Sequence, residues 1–193
     1  MPVTPVPKPG VQERILLHLR DYVDHADKVE VPFALSQMGI ANAVSIARSN
    51  VPRAISGLRE QGYLIEKQAH VTGVSRKRKA YFLTDEGAKL ADDIWSKVGM
   101  QVVRVIGRDG RASNMELSQA LESTELPLRH VDVIRYLDDS GTIDLSVLSA
   151  DLIERDLSKH IEKQLVTSLS DLPRTRRFYG REMELENMVN LLE

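Results

Sequence analysis

Apolar positions along the chain set the first expectations. Across residues 12–26 they fall at Ile15, Leu16, Leu19, Tyr22 and Val23, spacings that line one face of an amphipathic helix. A short polar and β-branched connection, KVEVPF, follows. Ser36 then stands where an N-cap belongs, ahead of a short helix to about Val44 that buries Ile40, Ala41 and Val44. The segment SIARS breaks the pattern, and Ser49 is the next N-cap candidate. Pro52 falls in the first turn behind it, where its missing N–H has no helical partner to lose. A helix from about Asn50 to Glu60 then turns Val51, Ala54, Ile55 and Leu58 inward and Asn50, Arg53, Ser56 and Gly57 outward. Gly62 ends it in the manner usual for glycine.

The period then changes from helical to alternating. YLIEKQAHVT and AYFL read as two short strands, and the basic loop GVSRKRK between them makes a hairpin. Thr84 caps a further helix, DEGAKLADDIWSKV. The predicted fold is therefore mainly α with a small β-hairpin: helix, helix, turn, helix, hairpin, helix.

Beyond residue 100 the pattern reads as a second small helical domain. Ser113 and Glu116 stand at capping-box spacing before an apolar helix, MELSQALES; Pro127 opens another helix, and Gly141 precedes TIDL. This echoes the first half. Leu35, Ser36 and Gln37 recur as Leu117, Ser118 and Gln119, and Ile55, Leu58, Gly62 and Leu64 match Ile134, Leu137, Gly141 and Ile143 at one constant offset. A degenerate copy of the first domain and an ordinary helical hairpin followed by a strand both fit that spacing. From Asp144 to about Asp171, Leu148, Leu152, Leu157, Ile161, Leu165 and Leu169 repeat at helical intervals until Pro173. A long amphipathic helix of this kind either joins two protomers or covers its own domain. The division expected is a flexible arm over 1–10, a first domain over 11–99, a second over 100–172 and a linker with a terminal helix over 173–193.

Composition narrows the setting. The 193 residues contain no cysteine, which excludes disulfides, thiolate metal sites and cysteine nucleophiles and fits a cytoplasmic protein. No run approaches the ~20 apolar residues of a membrane span. The opening MPVTPVPKPG lacks the apolar core of a signal peptide. His18, His25, His70, His130 and His160 are scattered, and His18 and His25 read as surface polar groups of the first helix. No HExxH, GxSxG or GxGxxG sequence is present, and RDGR at Arg108 to Arg111 reads as a turn. Neither an enzyme nor a cofactor is expected.

Charge changes the picture more than composition does. The net charge is −2, yet Arg48 to Lys79 holds eight cations (Arg48, Arg53, Arg59, Lys67, Arg76, Lys77, Arg78, Lys79) against Glu60 and Glu66, a local +6. A positive segment on an otherwise acidic chain is what a phosphate-facing surface requires, although a plain solvated charge run has the same composition. Residues 101–150 carry five basic and eight acidic side chains, which disfavours phosphate contact and favours packing against protein. Within the basic segment the chemistry suits a duplex. Arg53 can fork onto guanine O6 and N7, Asn50 or Gln37 can pair with adenine or a phosphate, and Arg48, Ser49 and Ser56 can bond phosphate oxygens. Arg76, Lys77, Arg78 and Lys79 alternate along the hairpin edge, so two or three can face one groove. Exposed aromatics for base stacking are nearly absent there, which disfavours an RNA ligand.

The stretch from Leu35 to Gly87, with GIA, a turn, SNVPRAISGL and the closing YFLTDEG after a basic wing, resembles winged helix-turn-helix transcription regulators, particularly the multiple-antibiotic-resistance-type and related archaeal groups. The resemblance implies a helix from Ser49 entering the major groove, a wing on the backbone or minor groove, and a homodimer on double-stranded DNA. Ser45 departs from the pattern, standing where the inter-helix turn of that family commonly has glycine. The tail, three arginines followed by FYGREMELENMVNLLE, resembles the opening of the nucleotide domain of AAA-related signal-transduction ATPases, with Phe178, Gly180, Arg181 and Glu182 in the aromatic, glycine, arginine and glutamate places. No phosphate-loop sequence GxxxxGKS/T follows within the chain, so hydrolysis is not expected of it. Two functions stay open: a DNA-binding regulator, and a winged-helix protein-interaction module of a nucleotide-driven signalling protein that does not bind DNA.

Overall fold

The first helix, α1 (Val11–Arg20), begins at Gly10, whose N–H donates to the Glu13 carboxylate at 2.6 Å. It is shorter than the predicted 12–26. Asp21 caps it, and Val23–His25 continues as a 3-10 turn. The single apolar face is also an underestimate, because Ile15, Leu16, Leu17, His18 and Leu19 are all 1% exposed or less. His18 is thus a core residue and not the surface group its polarity suggested. The computed structural model describes residues 8–107, 109–123, 128–148 and 150. In it, three later helices (Gln37–Val44, Asp85–Gly99 and His130–Tyr136) pack around α1 and bury residues 15–19 on every side, leaving Gln12 and Glu13 of its first turn exposed.

The connection that looked irregular holds β1 (Glu30–Val31), and Phe33–Leu35 forms a 3-10 turn behind it. Ser36 caps α2 (Gln37–Val44) as expected, its hydroxyl accepting from Gly39 N at 3.1 Å. A Cβ at Gly39 would run into the Phe33 carbonyl, so glycine lets the two segments approach. α2 ends at Ser45 in the left-handed region, φ 55°. Serine therefore adopts the conformation that glycine commonly supplies at this turn. Arg14 of α1 donates to the Val44 carbonyl at 2.9 Å, satisfying one of the helix's terminal acceptors.

A 3-10 turn, Arg48–Asn50, leads into α3 (Val51–Glu60). The N-cap position falls on Asn50 and not on Ser49, and no side chain caps it. Val51, Ile55 and Leu58 are buried as the spacing predicts, whereas Gly57, expected to face outward, lies against Gln12 of α1. Gly62 follows at φ +80°. β2 (Leu64–Val71) and β3 (Arg78–Leu83) pair antiparallel from Leu64 opposite Leu83 to Ala69 opposite Arg78, and β1 adds in parallel to the end of β2. Thr84 caps α4 (Asp85–Gly99), its hydroxyl accepting from Gly87 N at 3.0 Å.

The second half is not purely helical. β4 (Val102–Ile106) and β5 (Ala112–Glu116) form a hairpin around a turn in which Gly107 N bonds Arg111 O and Gly110 has φ +74°. Val103 and Val105 alternate inward, a strand period in VVRVI that the helical reading passed over. Ser113 and Glu116 belong to β5, so they form no capping box, and α5 (Leu117–Glu122) starts behind them. Pro127 lies outside the described residues; the next helix, α6 (His130–Tyr136), starts at His130. Gly141, at φ +77°, turns the chain into β6 (Thr142–Asp144), which pairs in parallel with β4. The fold is thus mixed, with a second three-stranded sheet ordered β5-β4-β6 in place of a mainly α chain with one hairpin.

The echo between the halves holds in the backbone. Ile55, Leu58 and Leu64 are buried around Gly62, and Ile134, Leu137 and Ile143 around Gly141, each set running helix, left-handed glycine, strand. The halves meet where α6 packs on the end of α1: Arg129 donates to the Tyr22 hydroxyl at 2.6 Å, and His130 Nδ1 lies 2.6 Å from Asp21. Trp95 of α4 packs edge-on against His130 at 4.4 Å between ring centroids. The described residues up to Leu148 fall within one compact unit, Met1–Ser149. The amphipathic run from residue 151 on and the tail with its ATPase resemblance lie outside the described residues. No described helix is long and apolar enough to cross a membrane.

Candidate nucleic-acid interface

Local folding decides which cations of the basic segment are available. Arg48, Ser49 and Asn50 are exposed on the 3-10 turn ahead of α3, and Arg53 is exposed one turn into the helix. Ser56 is exposed too, with its hydroxyl donating to Glu60 at 3.0 Å. Arg76 and Lys77 occupy the connection between β2 and β3, whereas Arg78 and Lys79 belong to β3 itself. The basic wing is thus half loop and half strand.

Three of the eight cations are already occupied. Lys67 donates to the Ala26 carbonyl at 3.0 Å and lies 5.4 Å from the Phe82 ring. Arg59 and Lys79 converge on Glu66, with Arg59 Nη1 3.1 Å from one carboxylate oxygen and Lys79 Nζ 2.8 Å from the other. Lys79, through its hydrogen bond and charge, holds the Glu66 carboxyl below its usual range, and the same contact raises the lysine. Arg48, Arg53, Arg76, Lys77 and Arg78 have no ion-pair partner among the described residues.

Gln37 is half-buried at the start of α2, and its Nε2 donates to the Tyr81 hydroxyl at 3.0 Å. Tyr81 is 1% exposed, and burial pushes its phenol up. The amide is therefore held in place from behind.

Four of the ten residues singled out from sequence line one open concavity of about 410 Å³: Gln37, Arg48, Arg78 and Lys79. Ser36, Phe33, Met38, Val71 and Val74 complete it. Among the described residues no carboxylate lines it. Ser49, Asn50, Arg53, Ser56, Arg76 and Lys77 lie outside its wall. Sequence reasoning missed Phe33 and Met38, which are 39% and 42% exposed beside the cations, because one fell in the KVEVPF connection and the other off the buried face of the second helix. It also missed Glu66, whose partners depend on strand register. Among the described residues no three His, Cys, Asp or Glu side chains cluster as a metal site would require.

No protein-family model and no curated protein matches the sequence. Among solved structures the chain is similar to Lactococcus lactis ZitR in complex with DNA, with 22% identity over 45% of this chain and 49% of that one, at a TM-score of 0.34. It is also similar to a structure described as a zinc-responsive MarR family member, the same L. lactis protein, with 22% identity over 50% and 57% at 0.35. A cysteine-to-serine variant of ZitR aligns over 83% of this chain and 77% of that one, with 18% identity and a TM-score of 0.39. The chain spans about half the length of the first two. At TM-scores below 0.5 these likenesses are too distant to carry a functional argument.

Proposed function

We propose that the chain binds double-stranded DNA in a sequence-specific way and serves transcription regulation. The outward side of α3 enters the major groove, and the β2–β3 wing lies on the backbone or minor groove. One observation carries this reading: Arg48, leading into α3, and Arg78, on the wing, neither with an ion-pair partner among the described residues, line a single concavity with Gln37 and the Glu66-paired Lys79, and no carboxylate among the described residues lines it. Cations held around one opening repel each other and focus a positive potential that an anion relieves, and a duplex presents phosphates in a regular row. Arg53 reads guanine, Asn50 or Gln37 reads adenine or holds a phosphate, and Ser49, Ser56, Arg76 and Lys77 bond the backbone. Residues 11–99 are the DNA-binding part, 100–172 dimerise or relay, and 173–193 are a linker and helix resembling the start of an ATPase domain. The protein works as a homodimer, because one recognition helix reads too few base pairs for specificity.

Fluorescence anisotropy of a random-sequence duplex across a salt series tests the reading. Affinity falling steeply with salt, and weakened in an Arg48→Ala/Arg78→Ala variant, supports it. Absence of binding at low salt removes it and leaves the second reading, a protein-interaction module, which the exposed Phe33 and Met38 favour.

A further inference from the structure

Glu66 is the unexpected member of the basic surface. Each negative charge among phosphate-facing cations cancels part of their attraction, so a surface built for charge alone would leave it out. Glu66 is nevertheless one of only two acids between residues 48 and 79, and its side chain is 19% exposed. The other, Glu60, is exposed and bonded to Ser56.

What Glu66 touches explains its presence. It sits directly opposite Tyr81 in the β2–β3 register, with Lys79 the diagonal neighbour on the same face. Its two oxygens take Arg59 from the last turn of α3 at 3.1 Å and Lys79 from β3 at 2.8 Å. Tyr81, across the strand pair, accepts from Gln37 Nε2 at 3.0 Å. One carboxylate thereby fixes side chains from α3 and β3. One of them, Lys79, lines the concavity beside Gln37.

Resting on the DNA-binding reading, the geometry points to Glu66 as a positioning residue that sets sequence discrimination: it gives up phosphate affinity in order to hold Lys79 in one arrangement beside Gln37. Freed from Glu66, Lys79 swings on its flexible stem and meets any phosphate. Affinity for incorrect sequences therefore gains while affinity for the correct one does not.

The test compares a random-sequence duplex with a sequence that the wild-type protein has selected from a random library. In Glu66→Gln, affinity for the random duplex rises severalfold, and the salt slope steepens by up to about one, the value for one additional phosphate contact. Affinity for the selected sequence does not rise with it, so the ratio between the two falls. Adding Lys79→Ala to Glu66→Gln removes the freed cation, so the random-duplex affinity and the salt slope drop back to the wild-type level or below. A ratio unchanged in Glu66→Gln, both affinities weakened equally, or a rise that survives the loss of Lys79 overturns the positioning role. Failure of the wild-type protein to bind any duplex overturns the DNA-binding reading itself, so the two failures are told apart.

Discussion

Arg129 donates from Nη1 to the Tyr22 hydroxyl at 2.6 Å, joining residues 107 positions apart at the seam between the two halves. The same guanidinium pairs with Asp132 at 2.9 Å, a carboxylate only 3% exposed. Burial works against the guanidinium's charge, but the bond and charge of Asp132 outweigh it and the arginine's pKa is raised. In the first half the outward side of α3 stays exposed; in the second the matching end of α6 is committed to α1.

Arg129→Ala should therefore weaken the fold where α6 meets α1. Removing one partner of a buried pair costs about 3–5 kcal/mol, and the 35% exposure of Arg129 brings the expected loss nearer 2 kcal/mol. Chemical denaturation measures it, and a double-mutant cycle with Asp132→Asn isolates the pair. A loss below about 0.5 kcal/mol, the level of an ordinary surface substitution, would show that the seam does not depend on this contact.

His18 gives the protein an acid-sensitive core. Its Nε2 donates to the Ala34 carbonyl at 3.0 Å, and desolvation lowers its pKa below 6.5 despite that bond; Arg129 lowers it further, against Asp21 and Asp132. Above pH 6.5 the ring is neutral in both folded and unfolded chains, and its contribution is complete. Below 6.5 the unfolded chain takes up a proton that the folded one refuses. Stability then falls by up to about 1.4 kcal/mol per pH unit until the folded-state value is reached. Denaturant midpoints between pH 7 and 5 should drop more in the wild type than in His18→Gln. Parallel pH profiles would exclude His18 as the cause.

Ser45 holds its left-handed φ of 55° without glycine's freedom. Relief of the Cβ clash outweighs the added flexibility of the unfolded chain, so Ser45→Gly should stabilise by about 0.5–1 kcal/mol. Ser45→Val should destabilise by more than that, because a β-branched side chain tolerates the region worst. Thermal unfolding checks both signs. An unchanged midpoint in the glycine variant would mean that the turn relaxes away from this conformation.

These cases mark what the amino-acid pattern discloses. Capping at Ser36 and Thr84, the buried side of α3 and the stop at Gly62 follow from neighbouring residues, and each stands where local chemistry puts it. His18 was misplaced because its burial comes from tertiary packing of later elements on α1, with the Ala34 carbonyl of the 33–35 turn taking its Nε2. The hairpin at 102–116 was missed because LSQALE behind it drew Met115 and Glu116 into a helix, whereas pairing with β4 claims them for a strand. Counting charge found the basic segment but could not separate the free Arg48 and Arg78 from the occupied Arg59, Lys67 and Lys79. That distinction depends on register, and register depends on where the 72–77 turn begins and ends.

Arg53 and Lys77 should fail in different ways if the proposed interface is correct. Arg53 is exposed on α3 and has no ion-pair partner among the described residues, so its guanidinium is free to fork onto one base. A bidentate contact of that kind is worth about 1–3 kcal/mol of discrimination, roughly five- to 150-fold in affinity. Arg53→Ala should therefore lose that factor on a selected sequence and much less on a random duplex. Lys77, exposed in the connection between β2 and β3, meets only the backbone. Its replacement by alanine should weaken both duplexes alike and reduce the salt slope by about 0.9, the contribution of one phosphate on B-form DNA. Anisotropy titrations of both variants on both duplexes, each at several salt concentrations, separate the two effects. Equal losses for Arg53→Ala on the two duplexes would remove α3 from base reading and leave the surface as a non-specific phosphate binder.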